Sequence, residues 1–175
     1  MFKSLFRPKP VERDALELYA KVVDQARQPV FYTDLGVADR IDARFEIYTL
    51  HVLLLYVRLR HEDERGAVLA QKLFDHYVSA LDNVLRELGV GDVAVGKKMR
   101  KLGEALYGRM ASYEKALSEG DREALVVSIA RNVYEVEDAP HANALADYTL
   151  ASHQALSRQT MAEIEQAPHW AQING

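Results

Sequence analysis

The sequence predicts an all-α protein, namely a single-domain compact bundle of about six helices with a long central helix. Apolar residues recur at steps of three and four through most of the chain, whereas the alternating pattern of a strand is nearly absent. Capping and breaking residues divide these periodic stretches into helix-sized lengths. With 175 residues, of which 49% are apolar, the chain is long enough for one domain with its own core.

The first two helices are separated by a clear break. Pro29 ends the apolar stripe of residues 11–28, and residues 31–37 are predicted as a connector. The second helix is predicted to start after Asp39, a favoured N-cap residue, and to reach about His61. It is apolar on more than one side, so we expect it to be central and mostly buried. The inward residues of the first helix are predicted to be Leu16, Tyr19, Val22 and Val23.

The later helices are bounded by glycine, proline and aspartate. Gly89 and Gly120 are expected to end helices, and Asp92 and Asp121 to cap the ones that follow. The third to sixth helices are predicted over residues 67–88, 92–117, 121 to the break at Pro140, and 141–166. The chain is thereby divided into a basic, partly apolar segment over residues 1–10, a helical domain over residues 11–167 and a loose tail over residues 168–175.

The net charge of −4 conceals an asymmetry along the chain. From Ala111 onward there are four basic and ten acidic residues, so the preceding part is mildly basic. A dedicated DNA-binding protein has a stronger basic excess, and we therefore expect no DNA partner. Residues 1–10 mix apolar and basic side chains, which is typical either of a frayed terminus or of a weak contact with an anionic membrane.

No motif of catalysis or metal binding is present in the sequence. There is no cysteine, the six histidines lack the spacing of a helical zinc site, and no glycine-rich phosphate loop or nucleophile elbow occurs. We therefore predict that the protein is not an enzyme, with no catalytic residue, no metal and no cofactor.

A polar stripe follows the predicted central helix. Arg44 and His51 are seven residues apart and share a face, and Asp75 and Asp82 have the same spacing on the next helix. A buried arginine requires a partner, because an unpaired charge in an apolar interior is strongly destabilising. We predict a buried polar network of these four residues. An open polar groove lined by some of them is the alternative.

A second feature is the basic, glycine-containing start of the fourth helix. Lys97, Lys98, Arg100 and Lys101 lie where the helix dipole is unfavourable for cations. The same helix contains Gly96, Gly103 and Gly108, each of which costs helix stability relative to alanine. We expect the glycines to permit close helix packing. The cations are typical either of a binding surface or of a merely solvated face.

The same region resembles the ubiquinol–cytochrome c chaperone family. The resemblance extends over about residues 33–117. It rests on the run Leu-Arg-Glu-x-Gly-x-Gly-Asp, followed by Lys-Lys-Met and by Tyr-Gly-Arg. The similar stretches are residues 39–59 with Arg44, Phe45 and His51, then 71–75, 81–92, 95–99, 107–109 and Tyr113.

The resemblance implies an assembly chaperone of the respiratory ubiquinol:cytochrome c reductase, in a bacterial, free-standing form. Its expected partner is cytochrome b, nascent or newly inserted. Contact with the ribosome or with a membrane surface is left open as an alternative further interaction. The expected location is cytoplasmic, at the inner face of the cytoplasmic membrane. The client-binding residues are predicted to be Arg86, Asp92, Lys97, Lys98, Lys101, Tyr107, Arg109 and Tyr113.

Two further functions remain as alternatives. The first is a helical binder of a small apolar ligand or haem with enzymatic activity, which requires an enclosed pocket. The second is contact with ribosomal RNA through residues 97–101, which requires steeply salt-dependent binding. A wide surface groove favours the chaperone over the enclosed ligand site.

Overall fold

The prediction of an all-α fold is confirmed. The computed structural model describes residues 10–87, 89, 91–137 and 139–173, and within these residues there are helices and turns but no strand. The helices are α1 Pro10–Ala26, α2 Val30–Thr33, α3 Ile41–Arg60, α4 Glu64–Glu87, α5 Asp92–Glu119, α6 Arg122–Ile129, a π-helical turn Ala130–Tyr134, α7 Ala142–Ser157 and α8 Met161–Gln166. The predicted segment 1–10 lies outside the described residues except for Pro10.

Helix α3 is the centre of the bundle, as the sequence predicts. Twelve of its 20 residues are buried, and they point in several directions around the helix. Its neighbours include α1, α4, α5, α7 and the π-helical turn. A helix that is apolar on most sides can bury this surface only by being surrounded, which explains its position.

The inward face of α1 differs from the prediction. Its buried residues are Ala15, Leu18, Val22 and Ala26, which are spaced by three and four. Leu16 is 53% exposed, so its assignment to the core is wrong. The predicted stripe was rotated by about one residue, because α1 has apolar side chains on both sides of its true core face.

The predicted caps have mixed outcomes. The Asp121 side chain accepts a hydrogen bond from the Ala124 amide at the start of α6, as expected. Asp39 does not cap α3, because its carboxylate pairs with Arg44 and the N-cap position is Arg40. Asp92 is the first residue of α5 rather than its cap, which is Gly91.

The predicted sixth helix is in fact two helices. Thr160 begins α8 with a capping box, in which its hydroxyl accepts from the Glu163 amide and the Glu163 carboxylate accepts from the Thr160 amide. The two reciprocal bonds satisfy amides that a continuous helix would have bonded internally, so the chain turns here. The Thr-x-x-Glu signal was present in the sequence but was hidden within an alanine-rich periodic stretch.

The expectation of a loose carboxyl-terminal tail is wrong for residues 168–173. Pro168 is buried, and the ring of Trp170 packs edge-on against His51 with centroids 5.0 Å apart. The backbone of this segment is held by side chains of the α7–α8 region, which are described below.

Candidate functional site

An open apolar groove runs between α1, α3 and α4. Its volume is about 400 Å³, which is within the range of ligand-binding clefts. Each helix contributes residues spaced by three and four, so three apolar stripes converge on one hollow. The lining residues are Tyr19, Val23, Arg27, Ile41, Arg44, Phe45, Tyr48, Tyr77, Ala80, Leu81 and Val84.

The rim of the groove is unusually apolar for a surface. Ile41 is 58% exposed and Val84 is 43% exposed, on opposite walls formed by α3 and α4. Large apolar side chains that are clustered and exposed are typical of a binding surface rather than of a solvated one. The groove is therefore the best candidate for a functional site in the described part of the chain.

The floor of the groove is a fixed aromatic layer. Tyr77 is fully buried, stacks on Phe45 with ring centroids 6.1 Å apart, and its hydroxyl is hydrogen-bonded to the Thr49 hydroxyl. Burial raises the pKa of Tyr77 well above its usual value, so its ring stays neutral. The floor thus offers apolar contact without a charge.

One end of the groove carries two arginines. Arg27 Nε donates to the Tyr48 hydroxyl at 2.7 Å. Arg44 pairs with Asp39 and lies 5.0 Å from the centroid of the Tyr32 ring, a cation–π arrangement. The hydrogen bond from Arg44 lowers the pKa of Asp39.

The predicted buried network of Arg44, His51, Asp75 and Asp82 does not form. Arg44 is at the surface with Asp39, Asp75 accepts from Gln71 at 2.9 Å, and Asp82 accepts from Arg86 at 2.6 Å. The buried face of α4 is instead formed by Gly66, Leu69, Ala70, Leu73 and Tyr77. The seven-residue spacing correctly placed Asp75 and Asp82 on one face, but that face points away from α3.

His51 alone of these four residues is buried, and its partners lie on α3 itself and on α7. Its Nδ1 donates to the Ile47 carbonyl at 2.7 Å, so its Nε2 must accept the hydrogen bond from the Tyr148 hydroxyl, also at 2.7 Å. Burial lowers the pKa of His51 to about 4. His51 is therefore neutral, with both nitrogens bonded inside the protein, and acts as a structural residue.

The cations at the start of α5 form an exposed surface. Lys97, Lys98, Arg100 and Lys101 are all exposed, and none of them has a carboxylate partner among the described residues. Tyr107 is 65% exposed and its ring lies 6.4 Å from that of Phe74. Here we call Lys97, Lys98, Arg100, Lys101 and Tyr107 the α5 surface.

Two predicted members of this surface, Arg109 and Tyr113, point into the protein instead. Arg109 pairs with the buried Glu46 of α3 at 2.6 Å. Tyr113 is buried, and burial raises its pKa to about 12. These two residues join α5 to the core and do not line a contact surface, so their predicted role as surface contacts is wrong. Arg86 pairs with Asp82, and the Asp92 side chain lies outside the described ones.

The glycines of α5 do not serve close helix packing. A Cβ atom added to Gly96, Gly103 or Gly108 would have no neighbour within 4 Å outside the local helix. The prediction of tight helix–helix contact at these positions is therefore wrong. A second hollow of about 460 Å³ lies beside Gly103, between α4 and α5, and includes Phe74 and Tyr107.

The described residues offer neither a metal site nor a membrane span. No group of three His, Asp or Glu side chains comes together as ligands would. Each described helix is too short or too polar to cross a bilayer.

The groove could not be predicted from the sequence, because its lining residues have the spacing of ordinary core positions. Phe45 and Tyr48 belong to the predicted central helix, which the sequence predicts to be mostly buried. The breadth of the apolar surface of α3 was the available signal, because it exceeds what its neighbours cover.

The fold and its surfaces define an all-helical domain with an apolar groove open to solvent. Residues 33–170 match the family described as ubiquinol-cytochrome C chaperone. The chain belongs to this family. The match covers most of the chain and extends beyond the region on which the sequence resemblance rests.

Two individual proteins are similar to this chain. The crystal structure of the Cbp3 homolog from Brucella abortus superposes with a TM-score of 0.85 at 33% identity, over 93% of this chain and 91% of the other. The ubiquinol-cytochrome-c reductase complex assembly factor 1 of Xenopus laevis is 22% identical over 119 residues, or 68% of this chain. The matched region covers 59% of the length of that relative.

Proposed function

We propose that this protein is an assembly chaperone of the ubiquinol:cytochrome c reductase that binds newly made cytochrome b without catalysing a reaction. The family membership and the name of the Xenopus relative, an assembly factor of that complex, support the assignment. The client is held by non-covalent contacts alone.

The open apolar groove is the observation that carries the proposal. A membrane-spanning helix has an apolar surface and satisfies its own backbone hydrogen bonds, so it needs apolar walls rather than polar partners. The groove supplies such walls on three helices, and its exposed rim admits a long polypeptide. The alternative function, binding of a small apolar ligand or haem, would require an enclosed cavity, whereas this groove is open to solvent.

The α5 surface is proposed as a second contact. Its unpaired cations suit the anionic lipid at the inner face of the cytoplasmic membrane, where the client inserts. We therefore propose a cytoplasmic location, peripheral to that face. Ribosomal RNA is the competing anionic partner.

Two matched valines test the groove. Val84 is on its rim, and Val127, which is more exposed, is on α6 outside the groove lining. We expect Val84→Glu to reduce the cytochrome b that co-purifies from membranes by about tenfold, since a charge in an apolar contact costs about 1.4 kcal/mol or more. Val127→Glu should leave the recovery unchanged.

The outcomes separate the client from its site. Recovery of no cytochrome b with the native protein would refute the chaperone proposal itself. Equal losses with the two variants would refute the assignment of the groove as the client-binding site, while the assignment of cytochrome b as the client would stand.

A further inference from the structure

The extended segment 167–173 lies in a cleft bordered by α3, α7 and the turn before α8. The Trp170 ring enters an aromatic cluster, where it packs edge-on against His51. The centroid of the Phe31 ring lies 5.2 Å from the ring centroids of both His51 and Tyr148 in the same cluster. Ala171 and Ile173 of the segment also pack against the core.

Gln159 holds the backbone of the segment with its side-chain amide. Its Nε2 donates to the Ala167 carbonyl at 2.9 Å, and its Oε1 accepts from the His169 amide at 2.8 Å. A residue of a parallel neighbouring strand would make the same pair of bonds, to the carbonyl before and the amide after one residue. The buried Gln159 therefore binds extended backbone as a strand edge does.

The third backbone contact is made by Ser152 of α7, whose hydroxyl accepts from the Ala171 amide at 3.1 Å. Pro168, between the two bonds to Gln159, has no amide hydrogen to satisfy. Contacts to carbonyls and amides are available in any extended peptide. The cleft thus binds the backbone without regard to sequence, and the aromatic cluster supplies the selectivity for a side chain.

The segment does not fill the cleft. A hollow of about 500 Å³ lies on one side of it, bordered by Gln25, Gln28 and Val30. Another hollow, of about 300 Å³, lies on the other side against Ala144, Asp147 and Ala151. There is room for side chains larger than those that the segment itself carries.

We propose that this cleft is a recognition site for an extended peptide that carries an aromatic side chain, and that residues 167–173 occupy it in cis. A partner chain with such a segment would displace the resident one and dock in its place. The proposal does not depend on the client-binding function proposed above.

Occupation in cis protects the site from weak partners. A tethered segment has an effective concentration of the order of millimolar. A peptide in trans must therefore compete with it, and its apparent affinity rises when the resident contact is weakened.

The sole tryptophan of the chain makes the test direct. In the full-length Trp170→Ala variant the protein has no tryptophan, so emission excited at the indole edge comes from an added peptide alone. The probe is the peptide Ala-Pro-His-Trp-Ala-Gln-Ile, which copies residues 167–173, and its fluorescence anisotropy is measured against protein concentration. Trp170→Leu replaces the alanine variant if circular dichroism shows that the latter does not fold.

We expect saturable 1:1 binding of the peptide to the folded Trp170→Ala variant. Adding Gln159→Ala to that variant should weaken binding at least about tenfold, because the pair of bonds that Gln159 makes to extended backbone is lost. Calorimetry, which does not depend on tryptophan emission, should show that the native protein binds the peptide at least about tenfold more weakly than the variant, because its own segment competes. Absence of saturation with folded protein, equal affinity for the native chain, or an affinity unchanged by Gln159→Ala would each overturn the proposal.

Discussion

The carboxyl group of Glu46 is the most perturbed acid among the described residues for which a value is given. Burial raises its pKa from 4.5 to about 7, and the Arg109 guanidinium, 2.6 Å away, opposes that rise without cancelling it. Glu135 and Asp42 add to it through their negative charge. The Glu46 carboxyl, which joins α3 to Arg109 of α5, therefore changes its charge near neutral pH.

This perturbation predicts a pH-dependent stability. The folded state holds the proton of Glu46 more tightly than the unfolded chain, so the stabilisation is complete below about pH 4.5 and is lost as the pH rises through 7. We expect the melting temperature of Glu46→Gln to fall less between pH 5 and pH 8 than that of the native protein. Equal pH slopes of the two melting temperatures would contradict the prediction.

Tyr148 is a second residue whose side chain is expected to contribute strongly to the free energy of unfolding. Its hydroxyl donates to His51 and accepts from Gln25 at 3.1 Å, so its removal takes this partner from the buried His51 Nε2 and from the half-buried Gln25 amide. We expect Tyr148→Phe to lower the free energy of unfolding by about 1–3 kcal/mol in urea denaturation. Tyr107→Phe is the control, because the Tyr107 hydroxyl is on an exposed side chain, and its change should stay below about 0.5 kcal/mol.

At the scale of the element, α5 is a helix that is not optimised for its own stability. The open space around Gly103 and Gly108 means that a methyl group meets no obstacle there. We expect each Gly→Ala substitution to raise the free energy of unfolding by about 0.5–1 kcal/mol.

Gly66 of α4 is the contrasting control. A Cβ atom at this position would lie 2.6 Å from Glu62 Cβ and 2.7 Å from the Leu59 carbonyl oxygen, so Gly66→Ala should destabilise the protein. If Gly103→Ala lowered the urea midpoint, as Gly66→Ala is expected to do, the assignment of α5 as an open helix would be contradicted.

Some of the helix ends could be predicted from the sequence, but the contacts between helices could not. Local chemistry sets the end of α5 at Gly120 and the start of α6 at Asp121, and both can be read from the sequence. The partner of His51 is 97 residues away in the sequence, and the groove needs stripes from three helices, so no local pattern contains either. The basic surface of α5 was visible in the sequence because its cations are adjacent in the chain.

At the scale of the whole molecule, charge is divided between regions. The exposed cations of α5 lie before an acidic carboxyl-terminal third. Each lysine near an anionic bilayer contributes about 1 kcal/mol of binding. The location of the cations should therefore matter more than the net charge.

This difference is testable with vesicles. We expect the triple variant of Lys97, Lys98 and Lys101 to glutamate to lose at least about tenfold in affinity for vesicles that contain phosphatidylglycerol. The matched control reverses Lys115, Arg131 and Arg158, which are exposed and change the net charge by the same amount. Equal losses would attribute binding to net charge alone, and a loss of RNA affinity without a loss of vesicle affinity would favour the ribosome over the membrane.

The hydrogen bond between His51 and Tyr148 also fixes an order of events during synthesis. The 97 residues that follow His51 up to and including Tyr148 take about 5 to 20 s to be translated at about 5 to 20 residues per second. During that time His51 has no Tyr148 to accept from, and the side of the central helix that α7 covers stays open. The protein that we propose as a holder of unfinished chains is thus itself unfinished until its last third has been made.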